Sequence, residues 1–284
     1  MRFKYTFPIV FVALVTVPLV AFLFLETESK ETFVAISGVA SFLFGLLGAN
    51  TIRERQARLD KIVLNAATER GELVFIAEGL QLYSKKEEKV VLDKIDAYLM
   101  ASLDLETHHY NLTDREYTEV CDAIIKLNIE EEKQKKMYDR FLTAIEKIET
   151  TREYSATLFE DRIPKAEWTV LYFLIVLIYT SLLFANTGGI IAFFIIASLA
   201  LVISYLLVVA IKLDKLNWKI DEKIFEPYEQ TFEAIGLMRY YPKPVVDSGV
   251  IYHIKQLPSG TKYRIGDAPN YPEVKDRIIE IKTA

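Results

Sequence analysis

Hydrophobic and polar positions along this chain alternate between long uncharged apolar runs and segments dense in charge. The apolar runs are Phe7 to Leu25, Phe33 to Ala49, Trp168 to Ala185 and Ile190 to Ile211. Each has 17 to 22 residues and no Asp, Glu, Lys, Arg or His, which as a helix suffices to cross about 30 Å of hydrocarbon. The pattern predicts four transmembrane helices in two pairs. Arg2 and Lys4 precede the first run as they would a signal peptide. The run is too long for one, however, and "LFLETES" offers no small-residue cleavage site, so the expectation is a retained anchor.

Past Ala49 the helical pattern continues into charged sequence without Pro or a Gly-rich break. Ile52, Leu59, Ala66, Leu73 and Leu80 are seven apart, with Ile62, Ile76 and Tyr83 at the complementary position. This is a coiled-coil-like seam interrupted by Arg55 and Glu69. A helix from Thr32 to Tyr83 would be about 80 Å long, with Gly71 as a point of weakness. Further amphipathic helices follow: one through Val91, Ile95, Tyr98, Leu99 and Leu103; one opened by "TDRE" (Thr113 to Glu116), read as a capping box; and one through Met137, Phe141, Ile145 and Ile148, running toward Pro164. After the last apolar run, an acidic helix extends to Gly236. Val250 to Gln256 and Thr261 to Ile265 then read as a hairpin around "LPSG", followed by a final helix opening near Pro272.

The predicted fold class is an all-α membrane protein with four transmembrane helices (2+2), a cytoplasmic helical bundle and a small C-terminal β-hairpin plus helix. The predicted division is a transmembrane hairpin at residues 1–50, a cytoplasmic helical domain at 51–165, a second transmembrane hairpin at 166–212 and a cytoplasmic tail at 213–284. Orientation follows from the basic residues. Arg2 and Lys4, then Arg53, Arg55, Arg58 and Lys61, then Arg162 and Lys165, then Lys212, Lys215 and Lys219 flank one side of the spans. The other two connections, "ETESKET" and "NTGG", carry one Lys between them. The positive-inside rule therefore places both termini and the middle segment in the cytoplasm of an integral plasma (inner) membrane protein. On that topology the sequon Asn111-Leu112-Thr113 faces the wrong side for glycosylation.

Composition agrees with a membrane part joined to a polar part: 51% hydrophobic residues beside 26% charged, with mean hydropathy +0.18. A net charge of -5 carries no basic excess for nucleic acid. The single cysteine, Cys121, excludes an internal disulfide framework and reads as a small buried hydrophobe beside Val120, Ile124 and Ile125. There is no phosphate-binding Gly loop, His-Glu-x-x-His motif, paired-Cys site or nucleophile elbow, so no catalytic residue, metal or cofactor is assigned and no enzyme is expected. Asp104 with His108, near Glu106 and His109, is half a metal site at most. The acidic residues Asp221, Glu222, Glu226, Glu229 and Glu233 lack calcium-loop spacing and read as a solvated face.

Ser37, Ser41, Gly45 and Ala49 recur every fourth residue of the second span. Such a stripe lets another helix approach closely, or lines a pore on a symmetry axis with Phe42 or Phe44 as its constriction. Uncharged spans argue against ion-coupled pumping, while a passive pore has no need of intramembrane charge.

Two stretches here resemble the bestrophin-like family of bacteria and plants, a distant relation of bestrophin anion channels. They are "FLFGLLGANTIRERQARLDKIVLNAA" (Phe42 to Ala67) and "TREYSATLFEDRIPKAEWTVLYFLIVLIYTSLLFA" (Thr151 to Ala185). "LVVAIKLDK" (Leu207 to Lys215) resembles the family's end of span four. The likeness covers about residues 30 to 215, and its 2+2 topology is that of bestrophins. Departures are Leu216-Asn217 where Pro-Phe is usual and Asn65-Ala66 where Glu-Ala is usual. The calcium clasp of animal bestrophins is not reproduced, so calcium gating does not carry over. The resemblance implies a homo-oligomeric ring, a pentamer, passing small ions along span two, with Arg53 and Arg55 at the cytoplasmic mouth. The plain alternative for those arginines is positive-inside anchoring. The alternative for the chain is a membrane-anchored scaffold or signalling protein whose cytoplasmic domain binds a protein partner.

Overall fold

A single helix carries the chain from its second apolar run into charged sequence. The computed structural model describes residues 30–104, 112–184, 189–215, 225–247, 258–268 and 277–283. The first predicted span, His108, His109 and Asn111 lie outside the described residues. In chain order the elements are α1 (Lys30–Gly79), a 3-10 turn (Leu80–Leu82), α2 (Lys85–Asp104), α3 (Asp114–Ile125), α4 (Glu132–Glu160), α5 (Lys165–Phe184), α6 (Ile190–Asp214), α7 (Phe225–Ala234), β1 (Tyr240–Pro242), α8 (Lys243–Asp247), β2 (Lys262–Asp267) and β3 (Ile278–Thr283). Gly71 lies inside α1, which continues past it. The chain divides into two units: Met1–Arg58 with Arg162–Asn217, and Leu59–Asp161 with Trp218–Ala284.

The first unit holds the apolar helices. Among the described residues, three stretches are long and apolar enough to cross a membrane: Glu31–Leu82, Glu132–Phe184, which takes in α4 and α5, and Phe193–Asp214. Ala40 and Phe44 of α1 pack with Leu171, Leu174, Ile178 and Tyr179 of α5 and Ala200, Ile203 and Leu207 of α6. Phe33 stacks on Phe184 with ring centroids 4.8 Å apart. Many other apolar side chains in this unit are exposed, among them Val39, Phe173, Val176, Ile195 and Tyr205. Large exposed apolar surface of this kind belongs against lipid or another subunit.

The second unit is a helical bundle with a small sheet. Its core takes Leu73, Ile76 and Leu80 from α1 and the turn after it, Val91, Ile95, Tyr98 and Leu99 from α2, Val120 and Ile124 from α3, and Phe141 and Ile148 from α4. Gly79 is required where Phe141 crosses, because a Cβ there would stand 2.6 Å from that ring. Glu131 and Gln134 form a reciprocal capping box at the start of α4. The box expected at Thr113 is not formed: Thr113 is the N-cap of α3 but makes no side-chain cap bond. Its hydroxyl instead accepts a 3.1 Å hydrogen bond from Arg152.

Arg152 is the centre of a buried polar chain. Its guanidinium also donates to Tyr98 Oη at 2.5 Å and to Asp114 Oδ1 at 2.7 Å, and Tyr98 Oη donates to the buried Glu69 carboxylate. The guanidinium lies 5.2 Å from the Tyr98 ring centroid and 4.6 Å from that of Tyr117. Burial, with the Glu69 charge adding to it, pushes the Tyr98 phenol well above its ordinary range.

The tail differs from its predicted form. In place of a hairpin and a helix there is a three-stranded sheet of order β1-β2-β3, with β1 parallel and β3 antiparallel to β2. The predicted strand at Val250 to Gln256 lies outside the described residues. Ile278–Thr283, placed in the final helix, is a strand, as its β-branched Ile278, Ile279 and Ile281 favour. The sheet docks on α2 through two half-buried ion pairs. Arg264 grips Asp96 with two 2.7 Å bonds, and Asp104 takes bonds of 2.5 Å from both Tyr240 and Arg277. Burial raises the Asp104 carboxyl against the opposing pull of Arg277 and Tyr240. Asp104 thus serves as an acceptor for the tail sheet, and its candidate metal-site partners Glu106, His108 and His109 lie outside the described residues. Gly266 makes the docking possible, since a Cβ there would collide with the Tyr240 hydroxyl and ring.

Replacing Arg152 with Met removes the cation of a buried chain and should destabilise the bundle by about 3–5 kcal/mol. Heat-induced unfolding of the purified protein in detergent reads this as a lower midpoint, and an unchanged midpoint contradicts the assignment.

Candidate functional site

Helix α1 has one buried face along its first unit, and the residues singled out in the sequence divide around it. Ser37, Ala40, Phe44, Gly48, Thr51, Arg55 and Arg58 are buried. Ser41 is half-buried, and Gly45 and Ala49 are exposed. A spacing of four overshoots the helical turn by about 40° per step, so Ser37 and Ala49 stand about 120° apart and share no face. The small-residue stripe therefore begins in the helix packing and winds out of it. The two phenylalanines part company as well: Phe44 is 5% exposed in the apolar cluster, whereas Phe42 is 70% exposed. Of the two arginines, Arg53 is exposed and Arg55 buried.

Opposite the buried face runs a second row that the sequence reading missed. Val39, Phe42 and Leu46 are exposed and spaced by three and four, and Ala49 and Arg53 continue the row. The signal was present as apolar residues at helical spacing, but in a segment apolar on every side it does not stand out. No Cβ contact arises within 4 Å at Gly45, so the space beside it is open in a single chain.

The polar end of the unit is held by Asp214, the last residue of α6. Its backbone carbonyl accepts from Arg58 at 3.1 Å and from Arg162, and its carboxylate accepts the Ile163 N–H at 2.7 Å. The carbonyls at a helix C-terminus lack intrahelical partners and carry partial negative charge, so two guanidinium groups suit this position. Beside it, Thr51 donates its hydroxyl to the Glu167 carboxylate at the start of α5. This joint gives Asp214 a physical role at the end of α6. The sequence marked the stretch Leu207 to Lys215 by resemblance, but not the groups that Asp214 bonds.

In the second unit a groove of about 740 Å³ lies over α3 and α4, lined by Tyr117, Cys121, Glu149, Arg152 and Glu153. Tyr117 donates to the Ile145 carbonyl at 2.8 Å. Burial pushes the Cys121 thiol up, with the Tyr117 hydrogen bond opposing it. Expected to be buried, Cys121 is half-buried at the edge of this groove. No group of His, Cys, Asp and Glu suited to hold a metal ion occurs among the described residues.

The family model described as Bestrophin-like, Bestrophin-like domain, matches residues 6–216. No curated protein and no solved structure matches the chain.

Asp214→Ala leaves the Ile163 N–H without its acceptor and should cost about 1–3 kcal/mol of stability, while Asp214→Asn, which keeps a carbonyl oxygen there, should cost clearly less. Equal losses in the two variants, read by thermal midpoint, contradict the hydrogen-bond role. A raised thiol pKa means less thiolate at a given pH. Alkylation of Cys121 should therefore run slower than that of a free cysteine at about pH 8, and keep accelerating above the ordinary thiol range of about 8.5. A rate plateau at or below that range contradicts it.

Proposed function

From the premise that this chain belongs to the bestrophin-like family, we propose that it is a passive, anion-conducting channel built as a homo-oligomeric ring. Helix α1 lines the pathway. The observation that carries the reading is the row Val39, Phe42, Leu46, Ala49 and Arg53, exposed on the side of α1 turned away from its own packing. Repeated around a central axis, Phe42 and its apolar neighbours form a constriction that gates by dewetting. The Arg53 side chains gather at its mouth and favour anions there. The described spans offer no intramembrane charge for proton or sodium coupling, which fits passive flow.

The basic flanks orient the chain with both termini and the bundle in the cytoplasm. The ring is a pentamer in this reading, held in the bilayer by the exposed apolar surfaces of α5 and α6. The scaffold reading uses the same spans as anchors and sets the exposed apolar row of α1 against lipid, whereas the channel reading also gives Arg53 at its end a role.

Gly45→Trp separates the two. The open space beside Gly45 lets a single chain accept the larger side chain, so the variant should fold, and once its assembly is verified its chloride flux through reconstituted vesicles should fall to background. Undiminished flux in a correctly assembled variant removes α1 from the pathway. Absence of chloride flux in the unsubstituted protein removes the channel.

A further inference from the structure

Among the described residues, strand β3 is an edge of the sheet. β2 is paired on both sides, in parallel with β1 over Arg264 to Gly266 and antiparallel with β3 along its whole length. β3 therefore presents its outer row of N–H and C=O groups with no strand beside it among the described residues. All six of its residues are exposed, including Ile281 at 62% and Ile278 at 60%. The strand "IIEIKT" has no Pro to block pairing. Without Pro or a bulge, such an edge is a template for another strand, and Glu280 and Lys282 restrict which strand it accepts.

Its two charges select the occupant. We propose that β3 pairs antiparallel with β3 of a second copy of this chain, about a two-fold axis at Ile281. In that register Glu280 stands opposite Lys282 of the second copy, and Lys282 opposite its Glu280. Ile279 meets Thr283, and Ile281 meets its own counterpart. Moving the axis by half a residue sets Glu280 against Ile281 or Thr283. Moving it by a full residue sets Glu280 or Lys282 against itself, and like charges directly opposite are unfavourable. Within one chain Glu280 and Lys282 are already 2.8 Å apart, so each has a partner to exchange rather than a charge to desolvate alone. The result is a continuous six-stranded sheet across two copies. A two-fold contact joins copies in pairs and does not close a ring of odd number. It links one assembly to another, and it stands whether or not the chain conducts ions.

The test uses the full chain in nanodiscs, with Cys121→Ser to remove the native thiol and Ile281→Cys to place one at the axis. Directly opposed residues in an antiparallel pair lie about 4.5–5.5 Å apart at Cα, within disulfide reach. Oxidation should give a disulfide-linked dimer on a non-reducing gel. Ile278→Cys, whose copies would stand about 20 Å apart, should give none. Adding Glu280→Lys should lower the yield of the cross-link at position 281 about fivefold, and adding Lys282→Glu as well should restore it. No cross-link in a folded Ile281→Cys protein, the result if another part of the same chain or a different protein takes the edge, overturns the proposal. So does a yield that ignores the charge reversal or is equal at position 278.

Discussion

A helix that passes from apolar into charged sequence must keep one face buried while the chemistry available to bury it changes. α1 does this by altering what it places on that face. Ser37, Ala40 and Phe44 come first, packing against α5 and α6. Thr51, Arg55 and Arg58 follow, then Ile62 and Ala66, then Glu69, then Leu73 and Ile76. A buried charge without a counterpart is among the most costly features a fold can contain. Each one on this face therefore dictates what its neighbours must supply. Arg58 finds the end of α6 at Asp214, and Glu69 finds the Tyr98 hydroxyl, which Arg152 orients.

Within each unit these polar joints set a register where apolar packing alone would tolerate sliding. Asp214 ties α1, α6 and the turn before α5 at one place, through groups that have only one satisfactory arrangement. The tail sheet is fixed on α2 by the same means. The planar guanidinium of Arg264 matches Asp96 bidentately, and Arg277 and Tyr240 share Asp104. Tyr240 reaches that carboxylate only because Gly266 leaves room for its ring.

Much of this organisation was legible in the sequence, and what was not has identifiable causes. Apolar runs free of charge announced the helices of the first unit, and the seven-residue repeat through Leu73 and Leu80 announced that α1 continues. The likeness placed at residues 30 to 215 is met by a family match over 6–216. The four-residue stripe misled because its spacing drifts around the helix, which hides that Phe42 and Phe44 face opposite ways. Arg55 and Glu69 read as interruptions of the seam, yet both are buried on this face. The partner that makes Glu69 a member of it, Tyr98, lies 29 residues away, beyond the reach of a heptad pattern. Thr113 carried the local signature of a cap, but a tertiary bond from Arg152 claimed its hydroxyl. The parallel pairing of β1 with β2 was invisible because Tyr240–Pro242 is three residues long and joins a strand over twenty residues away.

In the proposed channel copies of α1 surround an axis, since without one the exposed row from Val39 to Arg53 encloses no path. The most direct measurement is the mass of the intact complex, released from nanodiscs and weighed by native mass spectrometry. A closed ring, a pentamer, is expected as the smallest assembly of the purified protein. A monomer or a simple dimer would leave α1 with no axis to line and would contradict it.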